Sequence, residues 1–365
     1  MSYFDHPDFD DHEHVSYFAD PDSGLRAIIA IHNTVLGPAG GGCRMWDYAS
    51  DEEALRDALR LSRAMTYKIA LAGLPGGGGK TVIIGDATRD KSESLLLAIG
   101  RAVQRLGGRY IIAEDVGTTP EDMETIARET DFVVGRPGES GDTSPATGYG
   151  VYLGLRTAVA RKLGTDALEG IRVAVQGAGN VATYLCQHLH EAGARLAIAD
   201  PNEAAAGELA EKVGATIVSP ERIYDEECDV FSPCALGAVL NDETIPRLRC
   251  SVVAGGANNQ LAEDRHAEAL AARGILYAPD YVLNAGGIIN AYREAIRLSQ
   301  ADSPGYDESW ALEQVERIAA TLDEILDIAD RESITPDRAA ARKVETILEE
   351  ARSRAKPQSA TSARA

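Results

Sequence analysis

Positive charge, ordered cysteine spacing and long apolar runs are all scarce in this chain of 365 residues. Lys and Arg number 36 against 57 Asp and Glu, a formal net charge of −21. Such a balance repels nucleic acid and anionic lipid surfaces, so both are set aside as partners. No stretch approaches the roughly 20 apolar residues of a membrane span. The opening MSYFDHPDFDDHEH has acids and histidines where a secretory signal has a basic start and an apolar core, which predicts a cytoplasmic protein. The five cysteines (Cys43, Cys186, Cys228, Cys234, Cys250) are odd in number, scattered and without a CxxC pair. Neither a disulfide framework nor a zinc site is indicated, and no metal is expected. His6, His12 and His14 read as part of a solvated N-terminal segment. There is no repeat at solenoid spacing.

What is present is enough apolar residue, 44%, to fill two cores. LRAIIAIH at 25–32 reads as a strand and LGPAGGGCRMW at 36–46 as a glycine-rich loop. Ser50 and Glu53 have capping-box spacing, and Leu55, Ala58, Leu59, Ser62 and Met65 recur at helical intervals towards Lys68. A second glycine loop, then TVIIGD, a helix near 91–106, a strand at 110–113, a helix start at Thr119-Pro120 and a strand FVVG at 132–135 complete an alternation. This predicts an α/β layer with a mostly parallel sheet. GRPGESGDTSPATG at 135–148 is the expected hinge. Beyond it, strand-like runs at 170–176, TIVS, DVFSPC, SVVAGG and ILYAPD alternate with helical material, and the chain is helical from Tyr281. The expected division is a substrate domain over 1–145, a dinucleotide-binding domain over 146–324, helices near 325–355 packing back on the first domain, and a disordered tail over 356–365.

Two glycine motifs compete for a phosphate. LPGGGGKT at 74–81 resembles a P-loop, but Leu74 stands where the pattern needs glycine, and a helix end rather than a strand precedes it. Gly177-Ala178-Gly179-Asn180-Val181-Ala182 has the required context: the strand VAVQ before it, a helix after it, and Asp200 closing the next strand. Gly177 permits the tight turn, Gly179 lets backbone approach a pyrophosphate at the helix N-terminus, and Ala182 allows close packing. Asp200 would accept from the ribose hydroxyls and repel a 2′-phosphate, which favours NAD. Lys68, Lys80 and Asp115 remain in the first domain, each expected at or near the end of an element, where side chains converge on a cleft.

GPAGGGCRMW, LRDALRLSRAMTYKIALAGLPGGGGKTVIIGD, GGRYIIAEDVGTTPEDM, VAVQGAGNVA, DVFSPCALGAVLND, GGANNQL and YAPDYVLNAGGIIN, in this order, resemble the glutamate, leucine, phenylalanine and valine dehydrogenase superfamily. The likeness runs from about Leu25 to Arg352 and is nearest the leucine branch. It implies NAD-dependent oxidative deamination of an L-amino acid to a 2-oxo acid and ammonia, and the reverse. Lys80 takes the catalytic role, Asp115 shuttles protons at the substrate nitrogen, and Lys68 binds the substrate carboxylate with the backbone of Gly41 and Gly42. Lysine works as a base only where burial and a neighbouring cation favour its uncharged form, and Lys68 is the expected neighbour. Thr147, Asn258, Asn259 and Asn284 match positions around nicotinamide and substrate, and the backbone of Cys234 and Ala235 would face the cofactor. Arg44 and Trp46 read as structural. Homo-oligomers, octamers in the leucine branch or dimers, are implied as well.

Glutamate-specific relatives carry a lysine where this chain has Gly40. A glycine cannot neutralise a buried carboxylate, so the side-chain pocket is expected to be apolar. Gly40, Ala113, Ile288 and Ala291 are its expected walls. Gly40 and Ala291 are smaller than their leucine-type counterparts, as is Gly76, which predicts room for phenylalanine, tryptophan or methionine beside leucine. A non-catalytic NAD-binding sensor would keep the fingerprint but has no use for Lys68, Lys80 and Asp115 together.

Overall fold

The computed structural model describes residues 3–138, 142–299 and 307–355, and its contacts divide the chain into two units, 1–118 with 341–365, and 119–340. The expected tail at 356–365 and part of the expected hinge, 139–141, lie outside the described residues.

The first unit is built on a five-stranded sheet. Its strands are β1 (His14–Asp20), β2 (Leu25–Asn33), β3 (Ala39–Trp46), β4 (Gly77–Ile84) and β5 (Tyr110–Glu114), in the order β1-β2-β4-β3-β5. The sheet is mixed rather than mostly parallel: β2 runs antiparallel to β1 and β4, while β3 runs parallel to β4 and β5. The one reversed strand is β2, antiparallel to both its neighbours; β1, which the acidic N-terminal segment conceals, joins it as a hairpin through a tight turn at Gly24. Helix α1 (Asp51–Leu71) lays Ala54, Leu55, Ala58 and Leu59 on Ile28, Ala30 and Val82 of the sheet. Ser50 caps it through the Glu53 N–H, but Glu53 accepts from the Ala49 N–H instead of closing the box on Ser50. The second helix, α2 (Glu93–Gln104), precedes β5.

Three readings change here. Residues 39–46 form a strand, not a loop, and the last three glycines of PGGGGK lie inside β4. Both segments tolerate glycine because neighbours leave no room for a Cβ: at Gly78 it would meet Thr66 N at 2.1 Å, and at Gly79 the Tyr110 ring at 2.7 Å. Lys80 is therefore mid-strand, paired with Ala30, which rules out a phosphate-cradling loop at this point. The N-terminal histidines are not uniformly solvated. His6 and His12 are buried, the His12 ring lying on the Leu59 carbonyl and the Ser62 hydroxyl of α1.

In the second unit the strands are β6 (Arg172–Gln176), β7 (Arg195–Ala199), β8 (Thr216–Ile217), β9 (Val230–Pro233), β10 (Val252–Val253) and β11 (Leu276–Tyr277). They are all parallel, in the order β11-β10-β9-β6-β7-β8. This is the doubly wound dinucleotide-binding order, with its switch point between β6 and β9. FVVG forms no strand: the Gly135 N–H donates to the Glu294 carboxylate instead of a neighbouring strand. The expected hinge is already helical from Ser144, where α4 (Ser144–Leu163) begins after α3 (Pro120–Ile126). The remaining helices are α5 (Asn180–Glu191), α6 (Glu203–Val213), α7 (Arg265–Ala272), α8 (Asp280–Leu283), α9 (Gly286–Ser299), α10 (Glu308–Glu332) and α11 (Pro336–Ala355). The core of this unit gathers Ala174, Phe231, Val253, Leu270 and Tyr277.

Candidate active site and nucleotide site

In the first unit the parallel pairing of β3 with β5 sets Gly42 beside Ala113. Pleat alternation turns Gly42 and Arg44 to the same face. On that face lies Asp115, in the turn that follows β5. The turn is clamped to β3: the Thr118 hydroxyl accepts from the Asp115 N–H and donates to the Cys43 carbonyl, and the Met45 N–H donates to the Val116 carbonyl. Lys80 reaches the same place from β4. Its amine, on a residue 5% exposed, donates to Asp115 Oδ2 at 2.7 Å. Arg44 Nε donates to that oxygen at 3.0 Å. Burial alone would raise the Asp115 carboxyl, but Lys80 and Arg44 outweigh it and hold it at about 2.

Gly42 is required by this crowding. A Cβ there would lie 2.7 Å from Asp115 Cβ and 3.1 Å from the Lys80 amine. At Gly41 it would lie 1.8 Å from the Gly79 carbonyl, and the Tyr110 hydroxyl donates to the Gly41 carbonyl. The ladder between β3 and β4 is interrupted at Gly41 and Gly42. Gly40 differs: the nearest atom to an added Cβ is Ile69 Cδ1 at 3.7 Å, an ordinary contact. Ala113 is half-buried, and Lys68 stands half-buried in the last turn of α1.

Asp115 thus has a second cation in Arg44, which sequence reasoning read as structural. The missed signal was parity. Once 39–46 is read as a strand, Arg44 falls two residues from Gly42 and on its face.

In the second unit the fingerprint turn follows β6. Gly177 has φ 113°, open only to glycine at low cost, and a Cβ there would press at 3.0 Å on the Cys234 carbonyl and the Ala235 N. The turns after β6 and β9 therefore meet at the switch point. Asp200 Oδ2 accepts from the Ala178 N–H and Oδ1 from the Asn202 N–H, each at 2.8 Å, so this carboxylate also braces the turn. Helix α5 starts at Asn180 with Gly179 as its cap and no side-chain hydrogen bond there. A Cβ added at Gly179 would meet nothing within 4 Å, while Val181 is half-buried and Ala182 fully buried. An uncapped helix N-terminus behind a glycine turn is what a pyrophosphate requires, and the residues fit a dinucleotide.

Elsewhere in this unit Asn284 donates to the Gly256 carbonyl and to Asn258 Oδ1, and its own Oδ1 is buried with no partner among the described residues. Asn259 adopts φ 51° and its carbonyl accepts from the Ala238 N–H. Thr147 donates to the Thr143 carbonyl in the first turn of α4, and a Cβ at Gly287 would lie 2.8 Å from its hydroxyl. Ile288 is half-buried and Ala291 buried, both on α9. The Cys234 sulfur accepts from the Gly256 N–H, and burial pushes its thiol up, which suits packing and not nucleophilic attack.

Residues 12–132 match the family model described as Glu/Leu/Phe/Val dehydrogenase, dimerisation domain, and residues 138–204 and 199–351 match that of Glutamate/Leucine/Phenylalanine/Valine dehydrogenase. The chain belongs to the Glu/Leu/Phe/Val dehydrogenase family. It is 53% identical to a leucine dehydrogenase of Thermoactinomyces intermedius, over 96% of this chain and 94% of that relative. It is 47% identical to a phenylalanine dehydrogenase of the same organism, over 91% and 90%. A crystal structure of the L-tryptophan dehydrogenase from Nostoc punctiforme superposes with a TM-score of 0.81 at 46% identity, covering 94% of this chain and 97% of that one. The dehydrogenase is thus an oxidoreductase that acts on amino acids with a pyridine nucleotide. No helix among its described residues is long and apolar enough to cross a membrane.

Proposed function

We propose that the dehydrogenase carries out reversible, NAD-dependent oxidative deamination of an apolar L-amino acid, leucine and its branched-chain relatives first, to the 2-oxo acid and ammonia. The observation that carries the reading is the Lys80–Asp115 pair at 2.7 Å, in which the lysine is buried and the aspartate mostly so. The nucleotide held at the glycine turn would supply the acceptor for the hydride that leaves the substrate Cα. Asp115, held ionised, accepts the proton that the substrate ammonium loses. Lys80 serves as the base for the water that adds to the resulting imine carbon; Asp115 then returns its proton to the nitrogen, and ammonia departs as the new hydroxyl gives up its proton and the 2-oxo group forms. Lys68 pairs with the substrate carboxylate, assisted by the backbone at Gly41 and Gly42, where the ladder to β4 is broken. Asn284 supports binding through its unpartnered carbonyl. The glycine turn and the start of α5 take the pyrophosphate, and Asp200, whose oxygens each retain a further lone pair, takes the ribose hydroxyls and disfavours a 2′-phosphate. The homo-oligomer, a dimer or an octamer, and a reducing cytoplasmic setting in which the cysteines stay free belong to the same proposal.

A second substrate reading rests on Gly40. The space beside it accepts a side chain against Ile69 that this chain does not supply, so phenylalanine, tryptophan and methionine should also turn over. A kinetic panel with NAD and NADP tests both readings. The expected result is turnover of leucine with NAD and a kcat/KM at least about tenfold lower with NADP, equivalent to about 1.4 kcal/mol of discrimination. Gly40→Leu should lower the phenylalanine-to-leucine ratio. If the wild type turns over no aromatic substrate, the wide pocket is wrong; if it reduces NAD with no L-amino acid, the enzyme reading fails and a binding role remains.

A further inference from the structure

The ion pair raises a difficulty that Lys80 alone cannot resolve. To act as a base, Lys80 must give up its proton, and neutral Lys80 would leave Asp115 a buried carboxylate without a countercharge. The strand β3 supplies the answer in Arg44. A guanidinium does not lose its proton at any working pH, so the charge it places on Asp115 persists through every stage of the cycle.

Arg44 is itself held from behind. Its Nη1 donates to Asp57 Oδ2 of α1 at 2.9 Å while its Nε holds Asp115, and the Tyr48 hydroxyl donates to the same Asp57 oxygen. A planar fork can face two carboxylates in this way; a lysine ammonium on a flexible stem cannot fix both directions. Arg44 and Asp57 are each mostly buried, with side chains 21% and 25% exposed, so the arrangement is largely screened from water. Both cations meet Asp115 on Oδ2, and Oδ1 accepts no hydrogen bond among the described residues. The charged and titratable groups that face Asp115 are Lys80 from β4, Arg44 from β3 and, further off, Tyr48 and the buried Tyr110 of β5, with Asp57 of α1 behind Arg44.

We propose that Arg44, braced by Asp57 and Tyr48, is a positioning residue for the deamination: it keeps Asp115 ionised while Lys80 is neutral and leaves Oδ1 open to the substrate nitrogen. The inference rests on the reading of Lys80 and Asp115 given above. It adds a permanent cation whose removal alters the pH dependence of the reaction, an effect that a purely structural arginine would not have.

The test is the pH profile of kcat/KM for L-leucine with NAD in the wild type, Arg44→Gln, Arg44→Lys, Tyr48→Phe and Asp115→Asn. Circular dichroism and thermal unfolding would verify that each variant folds. With Arg44→Gln the protonated, inactive form of the Lys80–Asp115 pair persists to higher pH, so the acid-side fall moves up by about one pH unit or more. Arg44→Lys restores part of that shift. Tyr48→Phe, which loosens the Asp57 brace on Arg44 without changing any charge, moves the profile in the same direction by less, and it serves as the readout should Arg44→Gln not fold. Profiles of Arg44→Gln, or of Tyr48→Phe in its stead, that superimpose on the wild type while Asp115→Asn is inactive overturn the role of Arg44 alone. Wild-type turnover by Asp115→Asn overturns the reading of Asp115 and this inference together.

Discussion

At the scale of single residues, the site is decided by what is absent as much as by what is charged. Gly42 lets Asp115 and the Lys80 amine share one small volume, where a methyl group would stand 2.7 Å from one and 3.1 Å from the other. Gly42→Ala should therefore impair turnover as well as stability, because its nearest side-chain neighbours are Asp115 and Lys80, the proposed reacting groups. The expected loss of stability is about 1–3 kcal/mol, typical of overpacking; parallel kinetics and denaturant unfolding would check it. A variant with unchanged kcat would mean that Lys80 and Asp115 do not need this geometry. The leading residues were legible in the sequence through motif order, Lys80 from GGGK and Asp115 from AEDVGT. Arg44 was not, because the segment that carries it has three consecutive glycines, and such a run reads as a loop unless the close backbone packing around it is known.

Elements explain where that reading strayed. Strands β3 and β4 carry glycines that a propensity argument assigns to loops, yet helix α1 and Tyr110 press on Gly78 and Gly79, and the Gly79 carbonyl and Asp115 on Gly41 and Gly42, so closely that only glycine fits there. Tertiary packing overrode local preference, and no periodicity in 36–46 or 75–80 could have revealed it. The amphipathic helices α1 and α2 and the strand–turn–helix of the fingerprint were legible because their signals are local: caps, a 3.6-residue repeat, a glycine turn after an apolar run. The N-terminal segment was misread for the opposite reason, since its acids and histidines conceal a tether to α1. His12 Nδ1 accepts from the Asp10 N–H and Nε2 donates to the Leu59 carbonyl, an arrangement that requires the neutral ring. Burial, aided by the nearby His32, lowers His12 from 6.5 to about 4. The folded-state value is depressed, so the unfolded chain binds the proton more readily, and the contribution present above pH 6.5 is lost as pH falls towards about 4. Thermal midpoints measured across that window should decline in the wild type, and the decline should be shallower in His12→Gln. Equal slopes would exclude His12 as a source of acid lability.

For the whole molecule, the sequence distributes the chemistry over two units: a lysine, an aspartate and an arginine on a mixed sheet, and a fingerprint turn at the switch point of a parallel one. The order of the motifs announced that division of labour. The mixed character of the first sheet was hidden because it depends on the direction in which β2 pairs with β4, which no local pattern in 25–32 records, and the acidic net charge speaks only to partners that it disfavours. The account as a whole stands on Lys80 as the base of an amino-acid dehydrogenase. The most direct measurement follows formation of reduced NAD from L-leucine by the wild type and by Lys80→Ala, with binding of NAD measured for both. The account predicts that Lys80→Ala binds NAD as the wild type does and loses about a hundredfold or more in kcat, the scale of a general-base contribution. A Lys80→Ala enzyme that turns over leucine at the wild-type rate would contradict it.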